Sequence, residues 1–191
     1  MSRCEWAKSC LEIEYHDQEW GVPCRDDRKL FEFLVLETMQ TGISWAIILK
    51  KREALRSALD GFKPEVIASY NQEKISSLLE NKNIIKNKAK IEATVLNAKA
   101  FLKVQDRFGS FADYVWRFVD GKPIKNSWQR HTEIPQQTSV SQRMSKIMQQ
   151  DGFAFVGPVV CYSFMQACGI VNDHLISCFR YDEINLKEQN I

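Results

Sequence analysis

Apolar residues recur along most of the chain at the three- and four-residue spacing of an α-helix, and no run alternates as a strand would. Residues 28–40 are almost continuously apolar, which predicts a central buried helix. Capping residues and a proline mark where other helices begin, at Ser44, Pro64, Asn71, Asn87 and Ser110. Glycines follow the ends of several of them, at Gly61, Gly109 and Gly121. The pattern therefore predicts an all-α fold.

Residues 121–140 interrupt the helical pattern. Pro123, Pro135, His131 and many polar side chains in this stretch predict a long ordered loop rather than a linker. No other stretch marks a domain boundary, and 191 residues suffice for one hydrophobic core. We therefore expect residues 1–191 to form a single domain.

A helical hairpin is predicted between Met144 and Ala167. The first helix ends at Asp151 and Gly152, and the second begins with Pro158 at its first position. The unpaired N–H groups at such a helix start can hold a DNA phosphate without reading sequence. An ordinary helical hairpin stopped by glycine is the alternative.

Charge and composition exclude few classes of protein. The 26 basic and 24 acidic residues leave a net charge of +2, which neither demands nor excludes a nucleic-acid partner. Two basic segments, residues 50–56 and 82–90, would supply phosphate contacts or would simply be solvated faces. The start of the chain is polar and no run approaches the roughly 20 apolar residues that span a bilayer, which predicts a soluble, cytoplasmic protein.

Two cysteines and two histidines near the chain ends suggest a metal site. His174 and Cys178 are four residues apart, so both lie on one face of a helical turn, and Cys4 and His16 stand near the other end. Two thiolates and two imidazoles suit Zn²⁺. In an unsecreted chain, six cysteines indicate reduced thiols or metal ligands rather than disulfides. Burial of all four side chains in an ordinary core is the alternative.

Four aromatic residues and one acid lie in the first quarter of the chain. Glu37 shares the apolar face of the helix predicted over residues 28–40, near its C-terminal end, where the helix dipole disfavours negative charge. Burial and the dipole would both raise its pKa, so Glu37 needs a hydrogen-bond partner or a cation. Rings around a buried acid suit a flat, electron-poor cation, although they would equally serve as core. The rings are those of Trp6, Tyr15, Trp20 and Trp45.

Six motifs spread over nearly the whole chain resemble one known family. They are residues 3–6 (RCEW), 15–23 (YHDQEWGVP), 37–45 (ETMQTGISW), 153–157 (FAFVG), 161–169 (CYSFMQACG) and 171–174 (VNDH). Together they resemble the 3-methyladenine DNA glycosylase I family, within the helix-hairpin-helix superfamily of base-excision glycosylases. Long motifs at these spacings are far more specific than a lone glycine pattern.

The resemblance implies a helix-hairpin-helix glycosylase fold, with two merged helical lobes, a base pocket between them and termini joined by a zinc site. It implies one structural Zn²⁺, held by Cys4, His16, His174 and Cys178. The reaction it implies is hydrolysis of the N-glycosidic bond of 3-methyladenine in alkylated double-stranded DNA. This excision leaves an abasic site and belongs to base excision repair.

The resemblance also implies roles for individual residues. Glu37 is the candidate catalytic residue and would accept a hydrogen bond from the exocyclic amino group of the adenine. The flipped base would stack in a pocket lined by Trp6, Tyr15, Trp20 and Trp45. Ile43 would lie near the gap that the base leaves, and the hairpin would contact DNA through Phe155 and Gly157.

Two residues common in related glycosylases are missing. Asn172 stands where an aspartate commonly supports the transition state, and an amide cannot act as a general base. Residues 157–161 contain no lysine for a Schiff base. The sequence therefore predicts a monofunctional enzyme without lyase activity. Asp173 would substitute for the missing acid or, more simply, cap the turn or orient a metal ligand.

Three other functions compete with this interpretation. A catalytic zinc hydrolase would need an open metal position, which four protein ligands do not leave. A module that binds alkylated or distorted DNA without cutting it would fit the absent aspartate. A helical scaffold that binds protein would show no salt-sensitive affinity for DNA.

Overall fold

The computed structural model describes residues 2–188, with side chains up to residue 184. Within this range the helices are α1 (Cys10–Gln18), α2 (Asp27–Gln40), α3 (Trp45–Ala58), α4 (Pro64–Ile67), α5 (Gln72–Glu80), α6 (Lys88–Phe108), α7 (Phe111–Trp116), α8 (Ser139–Gln150), α9 (Pro158–Ala167) and α10 (Phe179–Glu188). Short 3₁₀ turns occur at Asp60–Phe62, Arg117–Val119 and His131–Glu133, and two strands at β1 (Ile124–Lys125) and β2 (Val171–Asn172). No helix among these residues has the length and apolar character needed to cross a membrane.

Helix α2 lies at the centre of the molecule. Every side chain from Leu30 to Met39 is buried, as the apolar run predicts. The carboxylate of Asp26 caps the first turn by accepting a hydrogen bond of 2.7 Å from the Lys29 backbone N–H. α2 contacts α3, α6, α7 and α9. It therefore carries Glu37, near its C-terminal end, into the middle of the fold.

Two groups of helices pack near α2, while α1 packs against α3. α6 packs against α4, α5 and α7, whereas α9 packs against α8. The two groups meet at α2, in agreement with the predicted pair of merged helical lobes. The all-α prediction is confirmed, and the exception is a two-residue parallel pairing of β1 with β2.

Several predicted helix boundaries agree with the structure to within two residues. Asn71 and Asn87 cap α5 and α6, accepting hydrogen bonds of 3.0 and 3.2 Å from backbone N–H groups three residues on. Ser44 stands at the N-cap of α3, as predicted, although its side chain makes no hydrogen bond to the helix. α3 ends at Ala58, because a 3₁₀ turn with Gly61 at a φ of +70° follows.

The stretch at residues 121–140 is ordered, as predicted, but it contains more structure than the sequence indicated. Ile124 pairs with Val171 in the parallel β1–β2 ladder. The backbone oxygen of Trp128 accepts a hydrogen bond of 3.0 Å from Ile176 N–H. A strand of two residues has no hydrophobic period, which is why the pattern did not reveal it.

The two arginines of the basic segment at residues 50–56 form ion pairs within the protein. Arg52 is buried and donates to Glu32 at 2.7 Å and to both carboxylate oxygens of Glu19 at 2.7 and 2.8 Å. Arg56 donates to the same Glu32 at 2.7 Å. These guanidinium groups neutralise the buried Glu32 and the half-buried Glu19, so they are not free to contact phosphates.

Candidate active site

A cavity of about 230 Å³ lies at the C-terminal end of α2, between α1, α3, α9 and the turn His131–Glu133. This volume is below the roughly 300–1,000 Å³ typical of drug-sized ligands, so the cavity suits a small ligand. The cavity is lined by Trp6, Glu12, Tyr15, Trp20, Glu37, Gln40, Trp45, His131, Ile134, Ser163 and Gln166.

Four aromatic rings brace one another around the cavity. The ring centroids of Trp6 and Trp20 are 5.1 Å apart in an edge-to-face contact, and those of Tyr15 and Trp45 are 5.0 Å apart. Such tilted pairs are favoured over flat sandwiches and hold the rings at fixed angles. The structure thus brings together all four aromatic residues that the sequence assigned to the base pocket.

Three polar atoms of these rings lack a partner in the described part of the chain. Trp6 Nε1, the Tyr15 hydroxyl and Trp45 Nε1 are buried without a hydrogen bond. Buried polar groups in native proteins are almost always paired with protein or ordered water, and each exception needs an explanation. Their position around one cavity points to a ligand with polar edges.

Glu37 lies in the last turn of α2 and faces the same cavity. Burial raises its pKa to about 8, because its charged form loses contact with water. Burial, followed by the charge of Glu37, also raises the pKa of Tyr15, so this phenol remains a donor. A cation in the cavity would favour the ionised form of Glu37.

A second, open groove adjoins the cavity. Gly42 and Ile43, in the turn between α2 and α3, face Val159 and Ser163 of α9 across about 500 Å³. Glu37 and Ser163 line both the groove and the cavity. Ile43 therefore lies beside the mouth of the cavity.

Lys90 supports the turn that carries Ile43. Its Nζ donates to the backbone oxygens of Met39 at 2.9 Å and Thr41 at 2.5 Å. These carbonyls lie at the C-terminal end of α2, where a cation is favoured by the helix dipole. Lys90 is buried in this role, so the suggestion that it contributes to a basic surface is wrong.

The hairpin between α8 and α9 presents Phe155 to solvent. Phe155 is 40% exposed and has a φ of +55°, a strained conformation for an aromatic residue. Asn97 holds the turn by bonding both backbone groups of Ala154, at 2.7 and 3.1 Å. Gly157 is the N-cap of α9 and offers no side-chain cap, so the first N–H groups of that helix have no side-chain partner there.

Four side chains that could hold a metal ion converge where the segment at Ser2 pairs with Cys178. His174 and Cys178 precede α10 in a non-helical turn, so the helical turn predicted for this pair is wrong. All four side chains are buried and their ligand atoms lie within 4.8 Å of one another. Cys178 Sγ is 3.5 Å from His16 Nε2 and 3.5 Å from His174 Nδ1, and Cys4 Sγ is 3.7 Å from His174 Nδ1. Tetrahedral zinc, with bonds of about 2.0–2.3 Å, requires ligand separations of this size.

The outer nitrogen of each histidine in this cluster has its own acceptor. His16 Nδ1 lies 2.8 Å from Asp17 Oδ1, and His174 Nε2 lies 3.0 Å from the Trp20 backbone oxygen. Such partners fix the tautomer, so the lone pairs of His16 Nε2 and His174 Nδ1 face the thiols. Two thiols and two imidazole nitrogens at these separations could hold a metal ion.

Several residues that line the cavity were not predicted from the sequence. His131 and Ile134 come from the loop at residues 121–140, whose position no local pattern specifies. Ser163 and Gln166 lie three residues apart on α9, so their spacing could have shown that they share a face. Gln40 also lines the cavity, one turn after Glu37 on α2.

Known proteins match this chain over most of its length. A family model described as methyladenine glycosylase matches residues 6–181. The DNA-3-methyladenine glycosylase 1 of Escherichia coli (strain K12) is 44% identical over 182 residues, which are 95% of this chain and 97% of that protein. A crystal structure of 3-methyladenine DNA glycosylase I, 47% identical, has a TM-score of 0.91 and covers 93% of this chain and 98% of that one. A crystal structure of a variant in complex with 3-methyladenine, 35% identical, also has a TM-score of 0.91, with coverage of 94% and 97%. The chain therefore belongs to the 3-methyladenine DNA glycosylase I family, which confirms the resemblance of its sequence motifs.

Proposed function

We propose that this protein flips 3-methyladenine out of alkylated double-stranded DNA and hydrolyses its N-glycosidic bond, leaving an abasic site. One observation carries the proposal: a cavity for a small, flat ligand, walled by four aromatic rings and containing the buried Glu37. The names of the relatives support the same reaction.

Recognition rests on the positive charge of the alkylated nucleoside. A cationic ring stacked among Trp6, Tyr15, Trp20 and Trp45 is favoured over a neutral one. Glu37 accepts a hydrogen bond from the exocyclic amino group, and the cation offsets the cost of ionising a buried carboxyl. Burial raises the pKa of Glu37 to about 8, so its carboxylate form is disfavoured unless a cation occupies the cavity beside it.

The chemical step requires little from the protein. When the C1′–N bond breaks, its electron pair goes to the base, which leaves as a neutral molecule. Water then adds to C1′ and releases its proton to solvent. The pocket contributes mainly by selecting and orienting the nucleotide.

The residues at the expected catalytic positions support a monofunctional enzyme. The side-chain oxygen of Asn172 accepts from the His174 N–H at 3.2 Å, and its amide donates to the Tyr181 backbone oxygen at 3.3 Å. Asn172 thus has a structural use, and no lysine begins α9 to form a Schiff base. The bonded Asn172 and the missing lysine are both consistent with excision without lyase activity.

We propose that the groove and the hairpin form the contact with duplex DNA. Ile43 would occupy the gap left by the flipped base, which offsets part of the cost of unstacking. Phe155, Gly157 and the N-terminus of α9 would hold a backbone phosphate, as in a helix-hairpin-helix motif.

We propose one structural Zn²⁺ at the cluster of Cys4, His16, His174 and Cys178. The separations among their ligand atoms and the acceptors on both histidines fit this ion. Four protein ligands leave no position for a water, so the ion would supply cohesion rather than catalysis. It would join a segment near the N-terminus to one near the C-terminus.

The proposal is tested by base release from DNA treated with a methylating agent, with 3-methyladenine resolved from 7-methylguanine by chromatography. We expect selective release of 3-methyladenine by the wild-type protein and a fall of at least about 100-fold in Glu37→Gln, because the variant loses its charged acceptor. Glu14→Gln, an exposed acid on α1 outside the cavity, is the matched control and should retain release.

A module that binds damaged DNA without cutting it is the second candidate, and the asparagine at position 172 is the observation that favours it. The same assay separates the two functions. Binding to methylated duplex without any released base, by folded protein, would establish the module and exclude the glycosylase.

A further inference from the structure

Gln166 lines the cavity from α9 but is held by a contact on its far side. Its Nε2 donates a hydrogen bond of 2.8 Å to Asp173 Oδ2. Only the amino end of the amide can donate to a carboxylate, so this contact fixes which end of Gln166 is which. Its side-chain oxygen has no hydrogen-bond partner among the described residues and is not a fully buried atom.

The surroundings of Asp173 hold its carboxylate in place and so maintain the orientation of the Gln166 amide. The residue is 1% exposed, and its carboxylate accepts three further side-chain hydrogen bonds. The Tyr162 hydroxyl donates at 2.6 Å, Asn126 Nδ2 at 2.6 Å and Trp128 Nε1 at 2.7 Å. An ionised carboxylate accepts only, so a flipped Gln166 would set its oxygen against another acceptor.

These contacts also explain why Asp173 does not replace the missing catalytic acid. Its two oxygens are occupied by four donors that join β2, α9 and the loop at residues 121–140. Asn172, not Asp173, makes the turn hydrogen bond to the His174 N–H. Asp173 is therefore turned toward the wall of the cavity and away from the turn.

We propose that Gln166 determines base specificity by presenting its side-chain oxygen to the bound purine, and that Asp173 is the positioning residue that enforces this. The proposal rests on the proposed glycosylase function. An exocyclic amino group has two N–H bonds, so it can donate to Gln166 as well as to Glu37. A purine with an oxygen at the same ring position would place that oxygen, an acceptor, against the acceptor oxygen of Gln166. The pocket would thereby favour 6-amino over 6-oxo purines among 3-methylated bases.

The experiment measures release of 3-methyladenine and 3-methylguanine from the same methylated DNA, as a ratio of kcat/KM values. In Gln166→Met the acceptor is gone and the ratio should fall about tenfold, chiefly through slower release of 3-methyladenine. In Asp173→Asn the amide of Gln166 is free to turn its amino group inward, so the ratio should fall further. The double variant Gln166→Met/Asp173→Asn should have the same ratio as Gln166→Met alone, because Asp173 acts only through Gln166.

Tyr162→Phe is the matched control. It removes a hydrogen bond from the same Asp173 oxygen while leaving the Gln166 contact in place. It should lower stability but leave the ratio unchanged. If Asp173 had a merely structural role, Tyr162→Phe and Asp173→Asn would instead change the ratio alike. If Asp173→Asn does not fold, Gln166→Met still decides the question.

The outcomes separate this inference from the proposed function. A ratio that stays at the wild-type value in Gln166→Met overturns the role of Gln166 while leaving the glycosylase activity intact. A ratio that falls equally in Tyr162→Phe overturns the positioning role of Asp173. Wild-type protein that releases neither base overturns the proposed function and this inference with it.

Discussion

The cavity and the Cys/His cluster lie next to each other but differ in whether their buried polar atoms have hydrogen-bond partners. α1 supplies both, through the neighbouring residues Tyr15 and His16. In the cluster, the outer nitrogen of His16 has a partner in Asp17 at 2.8 Å. In the cavity, the hydroxyl of Tyr15 has none among the described residues. A closed set of polar atoms holds the fold together, whereas an open set is ready for a ligand.

Trp20 connects the two regions. Its backbone oxygen accepts from His174 Nε2, and its ring lies 4.6 Å from the His174 ring, centroid to centroid. The same ring lines the cavity. A change in the cluster should therefore reach the cavity through Trp20, whereas a change in the cavity should leave the cluster intact. Two substitutions and one pH series test this difference between the cluster and the cavity.

The largest effect is expected from Cys178→Ser. A hydroxyl is a poor ligand for zinc, so the variant should lose its metal and be destabilised by several kcal/mol, with a fall in Tm on the order of 10 °C. Metal content by atomic emission and thermal unfolding of the same sample check this. Base release should also fall, because the wall at Trp20 loses its support.

Cys10→Ser is the control for that variant. Cys10 is an exposed free thiol outside the cluster, so metal content and Tm should stay at wild-type values. If Cys178→Ser retained its metal, the zinc assignment would be wrong.

Features with a local signal could be predicted from the sequence. The four-residue spacing of His174 and Cys178 predicted that both side chains could reach one point, and the structure brings their ligand atoms to 3.5 Å. The apolar run at residues 28–40 indicated a buried helix that carries Glu37 inward, and burial does raise its pKa. Each of these depends on neighbours within a few residues, which is the range that a periodic pattern covers.

Features set by distant partners could not be predicted. Arg52 belongs to a basic run, but Glu19 and Glu32, in other elements, hold it in the interior. His131 reaches the cavity on a loop that Asp173 anchors from more than 40 residues along the chain, through Trp128. A charge run or an irregular stretch carries no record of such contacts, because they arise only when the chain closes on itself.

An intermediate effect is expected from Trp45→Ala, which opens the cavity without touching the cluster. Base stacking on an aromatic ring contributes ~1–3 kcal/mol, so release of 3-methyladenine should fall about 10- to 100-fold. Metal content should not change. Affinity for undamaged duplex, measured by fluorescence anisotropy, should change little, since no flipped base occupies the pocket there.

Trp45→Phe keeps a ring at this position and should recover most of the activity. Equal losses of activity and of affinity for undamaged duplex in Trp45→Ala would mean that the ring contacts DNA generally and that the base pocket lies elsewhere.

A gradual effect, rather than an abrupt loss, is expected in the pH dependence of stability. Burial raises the pKa of Glu37 from 4.5 to about 8. Between these values the folded protein retains a proton that the unfolded chain has released, so this group makes stability fall as pH rises through that window. Above the folded pKa both states are ionised and the effect levels off.

Comparison with Glu37→Gln isolates this contribution. The variant retains the Cys/His cluster, so the titration of the cluster cancels when the two proteins are measured by calorimetry at each pH. The Tm of the wild-type protein should fall progressively below that of the variant as pH rises from near 4.5 toward 8. A difference in Tm that stays constant across this window would mean that Glu37 is ionised and paired in the folded protein. Its carboxylate would then belong to a closed polar set, like the histidines of the cluster, and the contrast between the two regions would not hold.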